Sequence, residues 1–186
     1  ALGGITYGVS DLELTAAYAA IADGGQYRKP VFYTKVTDSK GNVLIDNTEN
    51  KATQVFKAST ASLLTNAMED VLEKGTGVAA RLDNMHAAGK TGTTNEAKDL
   101  VFAGFTPYYT AAIWATYDTH AEFPESDREF HKRLWAKVMN EIHEGLADMD
   151  FETSATVQEA TICTKTGLLA RSSCPSITEY LSLIHI

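Results

Sequence analysis

Between His86 and Tyr117 the chain passes through three strand-length segments with short breaks, and this succession constrains the fold more than any other feature. The first segment, residues 86–94, carries the run Ala87-Ala88-Gly89-Lys90-Thr91-Gly92-Thr93-Thr94. The other two, residues 102–106 and 111–117, flank Pro107-Tyr108-Tyr109, a break short enough to join neighbouring antiparallel strands. A strand bearing Lys90 is therefore expected beside the 102–106 strand in one sheet, with its outer edge able to face a cleft. A lysine flanked by glycines and followed by threonines suits a carboxylate. Glycines let a ligand lie directly against backbone, the ammonium supplies charge, and hydroxyls and bare N–H groups supply hydrogen bonds. Alone, a Lys-Thr-Gly triplet fits a surface lysine on a strand equally well.

Helical patterns surround these strands. In residues 10–21, Ser10 and Glu13 have capping-box spacing, Leu14, Ala17, Tyr18 and Ile21 share a face, and Gly24-Gly25 ends the segment. Residues 59–74 place Leu63, Leu64, Ala67, Met68, Val71 and Leu72 in a buried stripe that stops at Gly75. Residues 130–145 place Phe130, Leu134, Trp135, Val138, Met139, Ile142 and Leu146 at helical spacing, with Ser126 and Glu129 as a second capping box. Trp135 reads as core in preference to a groove wall. Strands over 31–36 and 43–45 are expected around a turn at 38–42, residues 118–125 form an acidic loop, and a short strand is expected over 160–164. The fold class is α+β, an antiparallel sheet flanked by helices.

A P-loop requires Gly-x-x-x-x-Gly-Lys-Thr, and Asn84 stands where its first glycine belongs, so a nucleotide site is set aside. With 186 residues, 44% of them apolar, the chain can bury one core. Its net charge of −8 argues against a general nucleic-acid binder. No apolar run approaches the length of a membrane-spanning helix. The five histidines show no metal-ligand spacing, and neither a metal nor a cofactor is expected. Cys163 and Cys174 are either a disulfide closing a short loop or two free thiols.

The flanks of the triplet resemble one family over most of the chain. Leu2-Gly3-Gly4, Gly8-Val9-Ser10-Asp11-Leu12-Glu13-Leu14, Ala17-Tyr18-Ala19 and Asp23-Gly24-Gly25 are similar to the stretch preceding the Lys-Thr-Gly box of class A penicillin-binding proteins. Lys74-Gly75-Thr76-Gly77 with Ala79-Ala80 resembles the family's glycine loop, and residues 89–95, Lys98-Asp99, Phe102, Gly104, Thr106-Pro107 and Tyr117-Asp118 resemble the segment around and after the box. One departure is Leu100-Val101, where the family usually has a tryptophan just before the Phe102 position. The family's Ser-x-x-Lys nucleophile box and its Ser-x-Asn box occur nowhere in the sequence. Both precede the Lys-Thr-Gly box in the family, so the expectation is the C-terminal part of a transpeptidase domain over residues 1–180, with 181–186 a truncated or foreign tail.

The resemblance implies a partial domain of the serine β-lactamase and DD-transpeptidase fold. It implies a peptidoglycan enzyme whose serine attacks a D-alanyl-D-alanine stem peptide, forms an acyl-enzyme and is intercepted by an amine. In this scheme Lys90 and Thr93 are catalytic, Thr93 through its backbone N–H in the oxyanion hole, and Thr91, Gly92 and Thr94 bind substrate. The implied partners are stem peptides and β-lactams, with no nucleic acid and with membrane contact only through an N-terminal anchor. The parent would act on the extracytoplasmic face of the bacterial membrane, and this portion alone would be inactive. Two alternatives share the box: a serine β-lactamase or β-lactam sensor domain, and a non-catalytic ligand-binding module of the same fold.

Overall fold

The computed structural model describes residues 7–182, and the account below concerns those residues. Leu2-Gly3-Gly4 lies outside them. Helix α1 (Asp11–Ala22) begins with the expected capping box. The Glu13 N–H donates to the Ser10 hydroxyl at 3.3 Å, and the Glu13 carboxylate accepts from the Ser10 backbone N–H at 2.8 Å. Four short strands follow, β1 (Gln26–Tyr27), β2 (Lys35–Thr37), β3 (Val43–Asp46) and β4 (Thr53–Gln54), paired as β1–β4 and β2–β3. The β2–β3 turn is closed by Asp38, whose carboxylate accepts from the Lys40 and Asn42 N–H groups at 2.8 and 2.9 Å. The strand expected over 31–36 is shorter than its composition suggests. Pro30 offers no donor, and Val31, Phe32 and Tyr33 are exposed without a partner strand among the described residues.

Helix α2 (Ala58–Glu73) precedes the main sheet, which is β5 (Ala88–Thr93), β6 (Asp99–Phe105) and β7 (Thr110–Thr116) in that order and antiparallel throughout. The 107–109 turn is held by Thr106. Its hydroxyl accepts from the Tyr108 and Tyr109 N–H groups at 3.1 Å and donates to His143 Nε2 at 2.8 Å. His143 Nδ1 must be the protonated nitrogen, because it faces the Met139 carbonyl at 2.6 Å and a carbonyl only accepts. Helix α3 (Phe130–Ile142) then crosses the sheet.

The two faces of β6 explain the layering. Leu100, Phe102 and Gly104 point one way, and Phe102 meets Trp135 of α3 edge-on at 4.9 Å. Ala103 and Phe105 point the other way, where Phe105 packs with Met68 of α2 and Tyr18 of α1. The sheet is thus enclosed by α3 on one face and by α1 with α2 on the other.

All three helical stripes differ from their sequence reading. In α1, Tyr18 and Ile21 pack on the Phe105 cluster as expected, but Ala17 is exposed and the buried positions are Ala16 and Ala20. In α2, Met68 and Leu72 are buried as expected, Leu64 and Ala67 are exposed, and Ser59, Ala61 and Thr65 are buried instead. In α3, Trp135 and Met139 are buried, but Phe130, Leu134, Val138 and Ile142 are exposed, Leu134 at 46%. The ridge turned to Phe102 runs through Trp135 and Met139, while Phe130 lies beside the Phe123 ring at 5.8 Å and Leu134 and Val138 face outward. The capping box before α3 does not form. Ser126 bonds Asp127, and the Glu129 carboxylate reaches Lys132 instead.

The chain closes with the hairpin β8 (Val157–Cys163) and β9 (Ser176–Ser182), longer than the expected 160–164 strand. Its ladder includes Leu181 opposite Gln158 and Ser182 opposite Val157, two positions past the boundary drawn at 180, while 183–186 lie outside the described residues. Cys163 and Cys174 are joined as a disulfide, Cα atoms 5.6 Å apart. Closing so short a loop is worth roughly 2.5–3 kcal/mol on chain entropy. Cys174→Ser is expected to lose that much protection in β8–β9 amide exchange, with the β5–β7 sheet unaffected. Unchanged exchange in the hairpin would show that the crosslink adds nothing.

Candidate active site

The box lies on β5, an edge strand among the described residues, with Lys90 opposite Ala103, Thr91 opposite Phe102 and Gly92 opposite Val101. Mid-strand placement in an antiparallel sheet is incompatible with a P-loop, whose lysine opens a helix. At the N-terminal end of β5, Ala88 is closed over by Met68. Gly89 is required there, because a Cβ would come within 2.7 Å of the Phe102 ring and 2.9 Å of the Ala103 carbonyl. At Gly92 the nearest atom to such a Cβ is Val101 Cβ at 3.4 Å, so packing within the protein tolerates a small side chain. Gly92 thus leaves the strand edge free of a side chain at this position.

Lys90 is exposed and forms no ion pair among the described residues. Its ammonium folds along its own strand, donating to the Thr91 carbonyl at 3.0 Å and the Thr91 hydroxyl at 3.2 Å. Thr91 is bonded in turn to the Thr76 hydroxyl at 2.8 Å, which ties the glycine loop to the box. Alternate N–H groups of an edge strand face the neighbour strand. The Thr94 N–H donates to the Asp99 carbonyl at 3.1 Å, so by alternation the Thr93 N–H belongs to the outward set on the open edge.

Thr94 is used internally. Its hydroxyl donates to the Asp99 carboxylate at 3.1 Å and accepts from the Asp99 N–H at 2.8 Å. Burial pushes the Asp99 carboxyl up, but hydrogen bonds from Trp114, Thr94 and Thr116 outweigh it and hold the group below its usual range. This clasp closes a loop in which Glu96 and Ala97 take left-handed backbone angles, φ 61° and 48°. The structure thus brings Lys90, Thr91, Gly92 and Thr93 to one strand edge and turns the Thr94 side chain to the loop behind it. Sequence reasoning missed one support, because Thr76 is visible in the sequence only as part of the Lys74–Gly77 loop.

Two histidines respond to pH in opposite senses. His86, at the entry to β5, faces Asp148 through Nδ1 at 3.0 Å and Asp150 through Nε2 at 3.2 Å. The Asp148 hydrogen bond, helped by the charges of Asp148, Asp150 and Glu69, raises its pKa against some desolvation. The stability it contributes is complete below about pH 6.5 and is lost as pH rises through the raised value. His131 is 2% exposed and neither ring nitrogen has a hydrogen-bond partner among the described residues. Burial first, and the Lys132 charge second, lower its pKa. Its neutral form fits the fold, so its contribution is complete above about pH 6.5 and falls as pH drops below it. Thermal midpoints between pH 5 and 8.5 should show His86→Asn losing stability at the acid end and His131→Phe gaining it there. Parallel profiles for both variants and the wild type would refute the assignment.

The sequence profile described as "Penicillin binding protein transpeptidase domain" matches residues 1–144. Penicillin-binding protein 1A of Clostridium perfringens (strain ATCC 13124) is 34% identical over 172 residues, which is 92% of this chain and 20% of the relative. The chain therefore spans about a fifth of that protein. Among solved structures, penicillin-binding protein 1A from Haemophilus influenzae superposes with a TM-score of 0.74 at 19% identity, covering 92% of this chain and 32% of that one. The PonA1 protein from Mycobacterium tuberculosis in complex with penicillin V superposes with a TM-score of 0.66 at 27% identity, covering 75% of this chain and 39% of that one. With the profile matched over most of the sequence and the box on an open strand edge, the chain belongs to the penicillin-binding protein transpeptidase family.

Proposed function

We propose that this chain is the Lys-Thr-Gly-bearing part of a peptidoglycan DD-transpeptidase, and that β5 forms one wall of the acyl-donor cleft. The observation that carries the reading is the edge itself: an ammonium without a carboxylate partner among the described residues, an open glycine and an outward Thr93 N–H, all within four consecutive positions.

A serine supplied by a Ser-x-x-Lys box outside this sequence attacks the carbonyl of the penultimate D-alanine, the terminal D-alanine leaves, and an amine of a second stem peptide resolves the ester. The reaction asks β5 for two services. The terminal carboxylate must be held in line, which the Lys90 ammonium and the Thr91 hydroxyl can do. The oxyanion must be met by fixed donors, which the Thr93 N–H can do; loss of one such donor costs about 3 kcal/mol. Thr94 acts through its Asp99 clasp, which sets the course of the strand past Thr93. β-Lactams present the same acyl group and carboxylate, so they acylate the same serine. The PonA1 complex with penicillin V supports this ligand class. The substrate places the enzyme outside the cytoplasmic membrane. No helix among the described residues is long and apolar enough to cross one.

Fluorescent penicillin tests the reading. The full-length protein should form a denaturation-resistant adduct on its Ser-x-x-Lys serine, and residues 1–186 alone should form none. Rapid turnover of the penicillin would favour the β-lactamase alternative, and no adduct on the full-length protein would favour a ligand-binding module.

A further inference from the structure

We infer that Lys132 is a positioning residue for the Lys-Thr-Gly box, acting through Thr76. Its effect on acylation rests on the transpeptidase reading, and its effect on the geometry of the box does not.

Lys132 lies on α3 and is 7% exposed, beneath the glycine loop and away from the open edge. A buried ammonium must be fully partnered. Its partners are the Glu129 carboxylate at 2.6 Å and the Thr76 backbone carbonyl at 3.0 Å. The Thr76 side chain then reaches over to the Thr91 hydroxyl at 2.8 Å. Thr91 accepts from the Lys90 ammonium through both its hydroxyl and its carbonyl. A hydroxyl that accepts from Lys90 still has its own proton to donate, so the Thr91 O–H can donate to Thr76. The contacts run Glu129–Lys132–Thr76–Thr91–Lys90, from α3 through a loop to the edge strand.

Stability alone gives little reason for this lysine. An apolar side chain of similar length would fill the space, and the Glu129 carboxylate, 44% exposed, would stay hydrated without its partner. What an apolar side chain cannot do is hold the Thr76 carbonyl. The loop is otherwise fixed from its α2 side, by the Gly77 N–H on the Val71 carbonyl at 2.8 Å. Lys132 supplies the opposing hold, which sets where the Thr76 hydroxyl meets Thr91. Reacting groups displaced by about 1 Å can lose on the order of 100-fold in rate.

The test uses the full-length protein with Lys132→Met, Thr76→Val and the double variant, read by amide exchange over residues 74–77 and 90–93, by the second-order rate of penicillin acylation, and by thermal midpoint. Lys132→Met should speed exchange in both segments and slow acylation about 10- to 100-fold, with the midpoint lowered only by the loss of the Thr76 hydrogen bond. Thr76→Val breaks the same relay one link further on, so the double variant should be no slower than the worse single variant. Wild-type exchange and acylation in Lys132→Met, or losses that multiply in the double variant, would overturn the inference. Altered exchange in a protein whose wild type takes no penicillin would uphold the positioning role and remove the transpeptidase reading.

Discussion

Lys90→Ala in the full-length protein is expected to slow penicillin acylation by about 30- to 4,000-fold, corresponding to about 2–5 kcal/mol, and to leave the thermal midpoint almost unmoved. The two effects separate because of where the side chain lies. Lys90 is exposed and among the described residues bonds only to Thr91, so truncation opens no cavity and strands no buried partner. In the proposed reaction the ammonium acts when a carboxylate and a developing oxyanion come to the strand edge. Lys90→Arg should recover part of the rate, since a planar fork keeps the charge and misplaces it. A loss of rate that only tracks unfolding would show that the box is a structural feature of the strand.

Trp135→Ala is the substitution expected to cost the fold most, about 3–5 kcal/mol in chemical denaturation. Trp135 is 1% exposed, packs edge-on against Phe102, and donates through its indole N–H to the Ala111 carbonyl at 3.0 Å. It therefore ties α3 to β6 and β7 together, and its loss leaves both a cavity and an unpaired carbonyl on the sheet. Trp135→Phe keeps most of the ring contact and gives up the hydrogen bond, so about 1–2 kcal/mol is expected. A Trp135→Ala protein as stable as the wild type would mean that α3 does not hold this sheet.

The elements readable from the sequence were those whose signals are local. Ser10 and Glu13 form their capping box because both groups lie within one turn, and the 102–106 and 111–117 runs pair because Pro107-Tyr108-Tyr109 leaves no room for another connection. Lys90 could be singled out because its glycines and threonines are neighbours in sequence. The failures came where a distant element decides. Leu134 and Val138 have the spacing of core residues, but which ridge of α3 is buried depends on the position of Phe102. Glu129 has the letters of a capping residue, and Lys132 offers its carboxylate a closer partner. The Thr76–Thr91 and Lys132–Thr76 contacts join segments far apart in the chain, and nothing local in either segment announces them. His131 shows the same limit, since burial of an unpartnered imidazole cannot be read from its neighbours.

The central claim is that Lys90 and its strand hold a substrate carboxylate in line for acyl transfer. The direct measurement is kcat/KM for release of the C-terminal residue from a stem peptide ending in D-Ala-D-Ala and from the same peptide ending in a C-terminal amide, in wild-type and Lys90→Ala full-length protein. The wild type should favour the free carboxylate by about 10- to 100-fold, and Lys90→Ala should process the two peptides at nearly equal, low rates. Equal preference for the carboxylate in both proteins would contradict the account and place the carboxylate anchor elsewhere.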